Sequence, residues 1–401
     1  MKILLIHNFY RYRGGEDRYV HILEETLNKK GHHVARFFYD SRSIREFNIF
    51  KKWLIPLKLF NSSSINKKLE AVLENEKPDL AVVHNLPPLL SLSLLKVLKR
   101  HRVPILKRLE NYKFLCLNGL FLRNDFTVCE KCKYGNFFHG ILHRCYQRSF
   151  FNSMGIALAE WFHRRKKTVL RTVDMFLASS EFVKSRFVEA GFPGDKIAVH
   201  PNFLDFEPLE SPKPAGDYAV FVGRLSKEKG LLTLLKAFED LRDLPLRILG
   251  EGPLEKELKE FAQSRQMGHV SFEGFIDGEK KREIISGARF LVFPSECYES
   301  FGYSIIEAHA CGVPVVASGI GGAKELLLEG KNGFLFETGN PGDLRLKLSM
   351  MTALKEEELA EMKYFALLRV KELYTGETGY VHLSKLFDRL LEPRGGTGSS
   401  E

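Results

Sequence analysis

The sequence predicts an α/β protein made of two doubly wound, Rossmann-like parallel sheets in tandem. Three observations carry that prediction. Short apolar runs alternate with helical patterns, the rhythm restarts after a proline-rich stretch, and the charge changes sign between the halves. A chain of 401 residues also exceeds what one ordinary core organises. Residues 1–200 carry 35 Lys+Arg against 18 Asp+Glu, and the remainder carries 25 against 32. A basic first half favours an anionic partner, such as phosphates or an anionic membrane surface.

In the first half, Ile3–Ile6, Val34–Phe38, Leu80–Val83, Val103–Leu106 and Met175–Ala178 read as buried strands. Between the first two, Tyr19, Ile22, Leu23 and Leu27 recur at helical spacing, and Gly31 closes the helix. Residues 203–217 hold Pro208, Pro212, Pro214 and Gly216 among charges, a linker composition. The strand candidates then resume at Tyr218–Val222, Leu246–Leu249, Val270–Phe272, Phe290–Phe293, Val315–Ala317 and Gly333–Phe336. Helices fit at 231–241, 253–265, 278–287, 303–311, 322–329 and 342–352. The expected domains are residues 1–205 and 206–375, with a helix over 376–392 returning to the first domain and a disordered tail at 393–401. Ligands of such sheets sit beyond the carboxyl ends of the strands, so the expected site is the cleft between the halves.

No run of about 18 uncharged apolar residues occurs, which predicts no spanning helix. The opening apolar run is too short for a signal peptide, so the expected location is cytoplasmic, with or without peripheral contact to the inner face of the cytoplasmic membrane.

Glu299 and Glu307 bracket Ser300-Phe301-Gly302. An apolar strand precedes them and a helical pattern resumes near Tyr303. Main-chain N–H groups at a helix opening attract anions, and Gly302 permits close approach of a phosphate. Carboxylates beside a phosphate repel it, but they accept hydrogen bonds from sugar hydroxyls. One glutamate for each of two sugars, with phosphates between, describes a nucleotide-sugar. Two exposed acids favouring the helix dipole would give the same letters.

These residues belong to a longer set. Glu-x7-Glu runs on into Ala-x-Ala-x-Gly-x-Pro-Val-Val-Ala, and residues 221–230 read Phe-Val-Gly-Arg-Leu-Ser-Lys-Glu-Lys-Gly. Leu249-Gly250-Glu251-Gly252-Pro253, Val270–Phe275, Gly319–Glu325 and Lys331–Phe334 follow, and Gly14-Gly15-Glu16 stands near the start. The set resembles the retaining GT-B glycosyltransferases of the glycogen-synthase-like group, and the likeness covers nearly the whole chain. It implies a GT-B fold and transfer of a sugar from a UDP- or GDP-linked donor to a carbohydrate or lipid-linked acceptor. It places ribose hydroxyls on Glu307, the transferred sugar on Glu299, and the diphosphate on Arg224 and Lys229. Gly14, Gly15, Gly223, Phe275, Ser300, Phe301 and Gly302 line the donor site in the same resemblance. No Asp-x-Asp occurs, so the metal-dependent alternative lacks its usual ligands. Glu110 stands where relatives carry a histidine. That leaves open an altered sugar preference, a carboxyl of raised pKa or a disabled enzyme. A nucleotide-sugar isomerase and a non-catalytic membrane-associated scaffold are the competing functions.

Cys116, Cys129, Cys132 and Cys145 form C-x12-C-x2-C-x12-C. Four thiolates complete a tetrahedral structural zinc site, and free thiols or disulfides are the alternatives. The stretches Phe47–Phe60, Phe137–Arg148 and Phe150–Arg171 mix bulky apolar residues with basic ones. Such segments fit the headgroup plane of an anionic membrane, or they are core-facing helices with solvated lysines. No nucleic-acid-binding motif occurs. The oligomeric state is not legible.

Overall fold

The structure is a computed structural model that describes residues 1–10, 14–47 and 55–392. The first sheet holds β1 (Lys2–Phe9), β2 (His33–Asp40), β3 (Leu80–Val83), β4 (Ile105–Leu109), β5 (Met175–Ala178) and β6 (Ile197–Val199). Their order is β2-β1-β3-β4-β5-β6, all parallel. The second sheet holds β7 (Ala219–Val222), β8 (Leu246–Leu249), β9 (Val270–Gly274), β10 (Phe290–Phe293), β11 (Val315–Ser318) and β12 (Gly333–Phe336). Their order is β12-β11-β10-β7-β8-β9, again all parallel. Helices cover both faces, so β3, β5, β10 and β11 are buried end to end, as their unbroken apolar letters require. This is the GT-B architecture.

Three elements depart from the sequence reading. β4 starts at Ile105 and runs on through Lys107 and Arg108, both buried. The charges are tolerated because Lys107 Nζ donates to the carbonyls of His84 and Arg108, each at 2.7 Å, and Arg108 is bonded to Glu110 and Asn202. The helix expected over 322–329 is a single 3₁₀ turn, Gly322–Leu326, after which Leu327 is extended. β6 is an edge strand of three residues, too short to leave a periodic signal. The expected contact of Phe47–Phe60 with a membrane falls in part on residues 48–54, outside the described residues, as does the tail at 393–401.

The chain crosses between the sheets twice. Leu204 N donates to Tyr374 O at 2.9 Å, so the outgoing and returning strands of chain touch. The helix Glu356–Leu373 buries Val370 in one cluster with Phe301 and Ile305 of the second half. Thr375 then caps a new helix, Gly376–Leu391. Its Leu383, Leu386 and Phe387 pack with Ile3, Leu5, Tyr19, Leu23 and Phe203. Gly379 makes that approach feasible, since a Cβ there would stand 2.3 Å from the Phe203 ring. The two halves thus share an apolar clamp, against which Tyr303 at the opening of the 303–310 helix also packs. Phe387 is fully buried in it, and Phe387→Ala is expected to cost about 3–5 kcal/mol. Urea denaturation checks this as a lower midpoint at unchanged slope.

Candidate functional site

In the second sheet the strand order reverses between β7 and β10, and a crevice opens at the carboxyl ends of such strands. Residues 223–230 leave β7 there, and residues 294–302 leave β10. Gly230 has φ 67°, and a Cβ on it would lie 1.9 Å from Pro294 O, so glycine lets the two loops meet. Lys229 Nζ donates to Glu299 Oε1 at 2.5 Å, and Ser295 Oγ donates to the same oxygen at 2.6 Å. Burial pulls the Lys229 ammonium down, but Glu299 beside it, together with Cys297 and Glu228, outweighs burial and holds it above its ordinary value. The lysine is therefore charged at neutral pH. Arg224 is half exposed. Its Nη2 donates to Glu228 Oε1 at 2.5 Å and its Nε to Ser226 Oγ at 3.2 Å. Gly223 ends β7 with its N–H on Leu249 O, 3.0 Å.

Gly302 opens the helix Tyr303–Ala310. The main-chain N–H groups of Ser300, Phe301 and Gly302 have no acceptor among the described residues, which is the condition an anion site needs. The Ser300 carbonyl accepts from Ser179 Oγ and Ser180 Oγ, 2.8 and 2.9 Å, at the end of β5 in the first sheet. Glu307 is only 3% exposed. Lys281 Nζ reaches its Oε1 at 2.8 Å, and the Arg18 guanidinium crosses from the first half to the same oxygen. Arg18 also binds Asp205 Oδ1 at 3.1 Å and lies over the Tyr303 ring. Gly14 is extended and precedes the helix Gly15–Lys29. A Cβ on Gly15 would meet Tyr303 at 3.6 Å, so the glycine loop abuts the opening of the 303–310 helix.

Glu110 lies at the end of β4 with its carboxylate almost fully buried. Arg108 Nε donates to one oxygen at 3.2 Å, and His84 Nδ1 stands 3.1 Å from the other. Burial, then His7 and Arg108, pull the His84 pKa well below its ordinary value. A neutral imidazole that donates from Nδ1 to Glu110 leaves Nε2 as an acceptor, and this atom has no partner among the described residues. His84 and Asn85 are both buried. Phe275, beyond β9 at the edge of the second sheet, is 62% exposed.

The fold therefore gathers Arg224, Lys229, Glu299, Ser300, Phe301, Gly302 and Glu307 at one switch point and sets Gly14 and Gly15 against it. Arg18, Lys281, Glu228 and the Ser179–Ser180 pair escaped the sequence reading. Arg18 and Glu307 are 289 positions apart, and no local pattern marks a pair at that separation.

Cys116, Cys129, Cys132 and Cys145 line one small cavity together with His139 and His143. All four are free thiols. Burial, then the neighbouring thiols, push Cys132 up to about 12 and Cys145 to about 11. Among the described residues no group of three or more His, Cys, Asp or Glu side chains is placed to hold a metal ion.

Residues 207–366 match the family described as glycosyl transferases group 1. The chain is 30% identical over 188 residues to the uncharacterized glycosyltransferase MJ1178 of Methanocaldococcus jannaschii, covering 46% of this chain and 51% of that protein. It is 29% identical over 206 residues to the putative colanic acid biosynthesis glycosyltransferase WcaL of Escherichia coli, covering 48% and 51%. The matched part thus spans about half the length of these curated relatives. Among solved structures, Anabaena HepE in complex with UDP-glucose superposes over 97% of this chain and 100% of its own, with a TM-score of 0.67 at 18% identity.

Lys107, beneath this site, supplies a pH test. Burial holds its ammonium down to about 8, against an ordinary value of 10.5. Between those values the unfolded chain binds more protons than the folded one, so this residue makes stability rise with pH across that window. Lys107→Met is expected to flatten the rise, measured by urea denaturation at about pH 8 and about pH 10.

Proposed function

We propose that this chain, whose residues 207–366 match the glycosyl transferases group 1, moves a sugar from a nucleotide diphosphate-sugar to a hydroxyl of a carbohydrate or lipid-linked acceptor, with retention of anomeric configuration. One observation carries the reading. Two cations, Arg224 and Lys229, and two carboxylates, Glu299 and Glu307, converge on a helix opening at the switch point of the second sheet. Cations at a donor diphosphate stabilise the charge that builds on the leaving group as the glycosidic bond breaks. Lys229 would exchange Glu299 for phosphate oxygen. Glu299, released, would accept hydroxyls of the transferred sugar, and Glu307 would accept the ribose hydroxyls. Arg18 already occupies Glu307, so donor binding trades one charged partner for two hydroxyl donors. The N–H groups of residues 300–302, with Gly14 and Gly15 opposite, complete the phosphate cradle.

The chemistry needs no resident metal, since the fixed cations supply the charge. A UDP- or GDP-linked donor fits, and the HepE complex with UDP-glucose favours testing the uridine series first. The relative assigned to colanic acid biosynthesis favours cell-surface polysaccharide or glycolipid assembly.

The test is transfer from a panel of UDP- and GDP-sugars, with calorimetry of the free nucleotides alongside. Glu307→Ala and Lys229→Ala are each expected to lower turnover by about 100-fold or more, and EDTA is expected to leave turnover unchanged. Rates near wild type in both variants would refute the assignment. Donor converted with no acceptor added identifies an isomerase. Nucleotide binding without turnover identifies a scaffold.

A further inference from the structure

The helix Phe150–Arg165 is amphipathic in the inverted sense. The residues it buries are small or polar: Ser153, Ala157, Ala159 and His163. Its bulky apolar residues point out. Phe151 is 72% exposed and Trp161 56%, and Leu158 is exposed between them. Spacings of seven and three place these side chains, with Arg165, along one face. A helix held only by its own core would show the reverse arrangement. The short helix Phe138–Leu142 packs against it through Ile141, Ile156 and Ala157, and its Phe138 and Leu142 are exposed as well. Both sets of outward side chains therefore ride on one packed unit.

The charge around this unit is one-sided. Residues 131–171 contain nine Lys and Arg against a single acid, Glu160. Arg144, Arg148, Arg165, Lys166 and Lys167 are all exposed. Exposed aromatics ringed by cations match the interface of an anionic bilayer. Tryptophan and phenylalanine enter the headgroup boundary, while lysine and arginine engage lipid phosphates. Neither a second protein nor a nucleic acid is called for by this combination, because apolar depth and unbroken positive charge are met together by anionic lipid.

We propose that the face formed by Phe138, Leu142, Phe151, Leu158 and Trp161, with its basic rim, docks the protein on an anionic membrane surface. No helix among the described residues is long and apolar enough to cross a membrane, so the contact is peripheral. The inference concerns a surface apart from the cleft and stands whether or not the sugar chemistry is as proposed.

The test is co-sedimentation of the full chain with phosphatidylcholine vesicles and with vesicles that also contain phosphatidylglycerol. Binding is expected to the second alone at low salt, and to fall at about 0.5 M salt. The double variant Phe151→Ser/Trp161→Ser is expected to lose about tenfold or more in partitioning, and Arg165→Glu/Lys166→Glu likewise. Both variants should keep wild-type thermal stability and wild-type nucleotide binding, which separates lost docking from misfolding or a damaged donor site. No binding by the wild-type chain, or undiminished binding by the folded variants, overturns the proposal. A wild-type dimer that the serine variant dissolves, with no vesicle binding, would instead make this face a contact between copies and overturn it equally.

Discussion

The carboxylate of Glu307 is the point on which the arrangement turns. A charge this far from water is sustained only by partners, and it has two: Lys281 from its own half and Arg18 from the other. Arg18 stands three residues beyond Gly15, on the helix that the glycine loop launches. The burial of one glutamate therefore decides how the first half meets the second. Ser179 and Ser180 repeat the theme on Ser300, and Glu325 accepts from the N–H groups of Glu181 and Phe182. Each of these contacts lies at the carboxyl ends of parallel strands, where the backbone has run out of ladder partners.

That geometry supports the proposal of a phosphate-bearing ligand in the cleft. Parallel strands deliver loops and helix openings to one edge of each sheet, and the clamp of Phe203, Leu383 and Phe387 turns the two edges toward each other. Positive charge on Arg18, Arg224, Lys229 and Lys281 is balanced in the ligand-free arrangement by Glu228, Glu299, Glu307 and Asp205. Under the proposed function a diphosphate would enter by exchanging partners with these carboxylates.

The segment holding the four cysteines is more than an appendage. Phe121 packs edge-on to Tyr298, next to Glu299, and Lys227 lies over the Phe126 ring. Glu130 lies beside Tyr298. The cysteine cavity thus sits behind residues that touch the loop of Glu299, and the helices carrying the exposed aromatics pack directly on it through Cys132 and Ala157. One small unit links the basic outer face to the loop of Glu299.

The sequence by itself determined the two parallel sheets, because unbroken apolar runs between amphipathic helices have no other way to bury both faces. It also placed the loop of residues 223–230 and the Glu299–Glu307 pair after their strands, because glycine, lysine and acid at close spacing depend only on a strand-to-helix turn. It did not carry β4 through Lys107 and Arg108, whose burial rests on carbonyls and on Asn202, far away in the chain. Nor did it mark Arg18 and Lys281 as partners of Glu307, or bring His84 to Glu110. Letters along a chain record local conformation and mean polarity. Which cation meets which carboxylate is decided only when the halves close, since a charge pair formed across nearly 300 positions leaves no local trace.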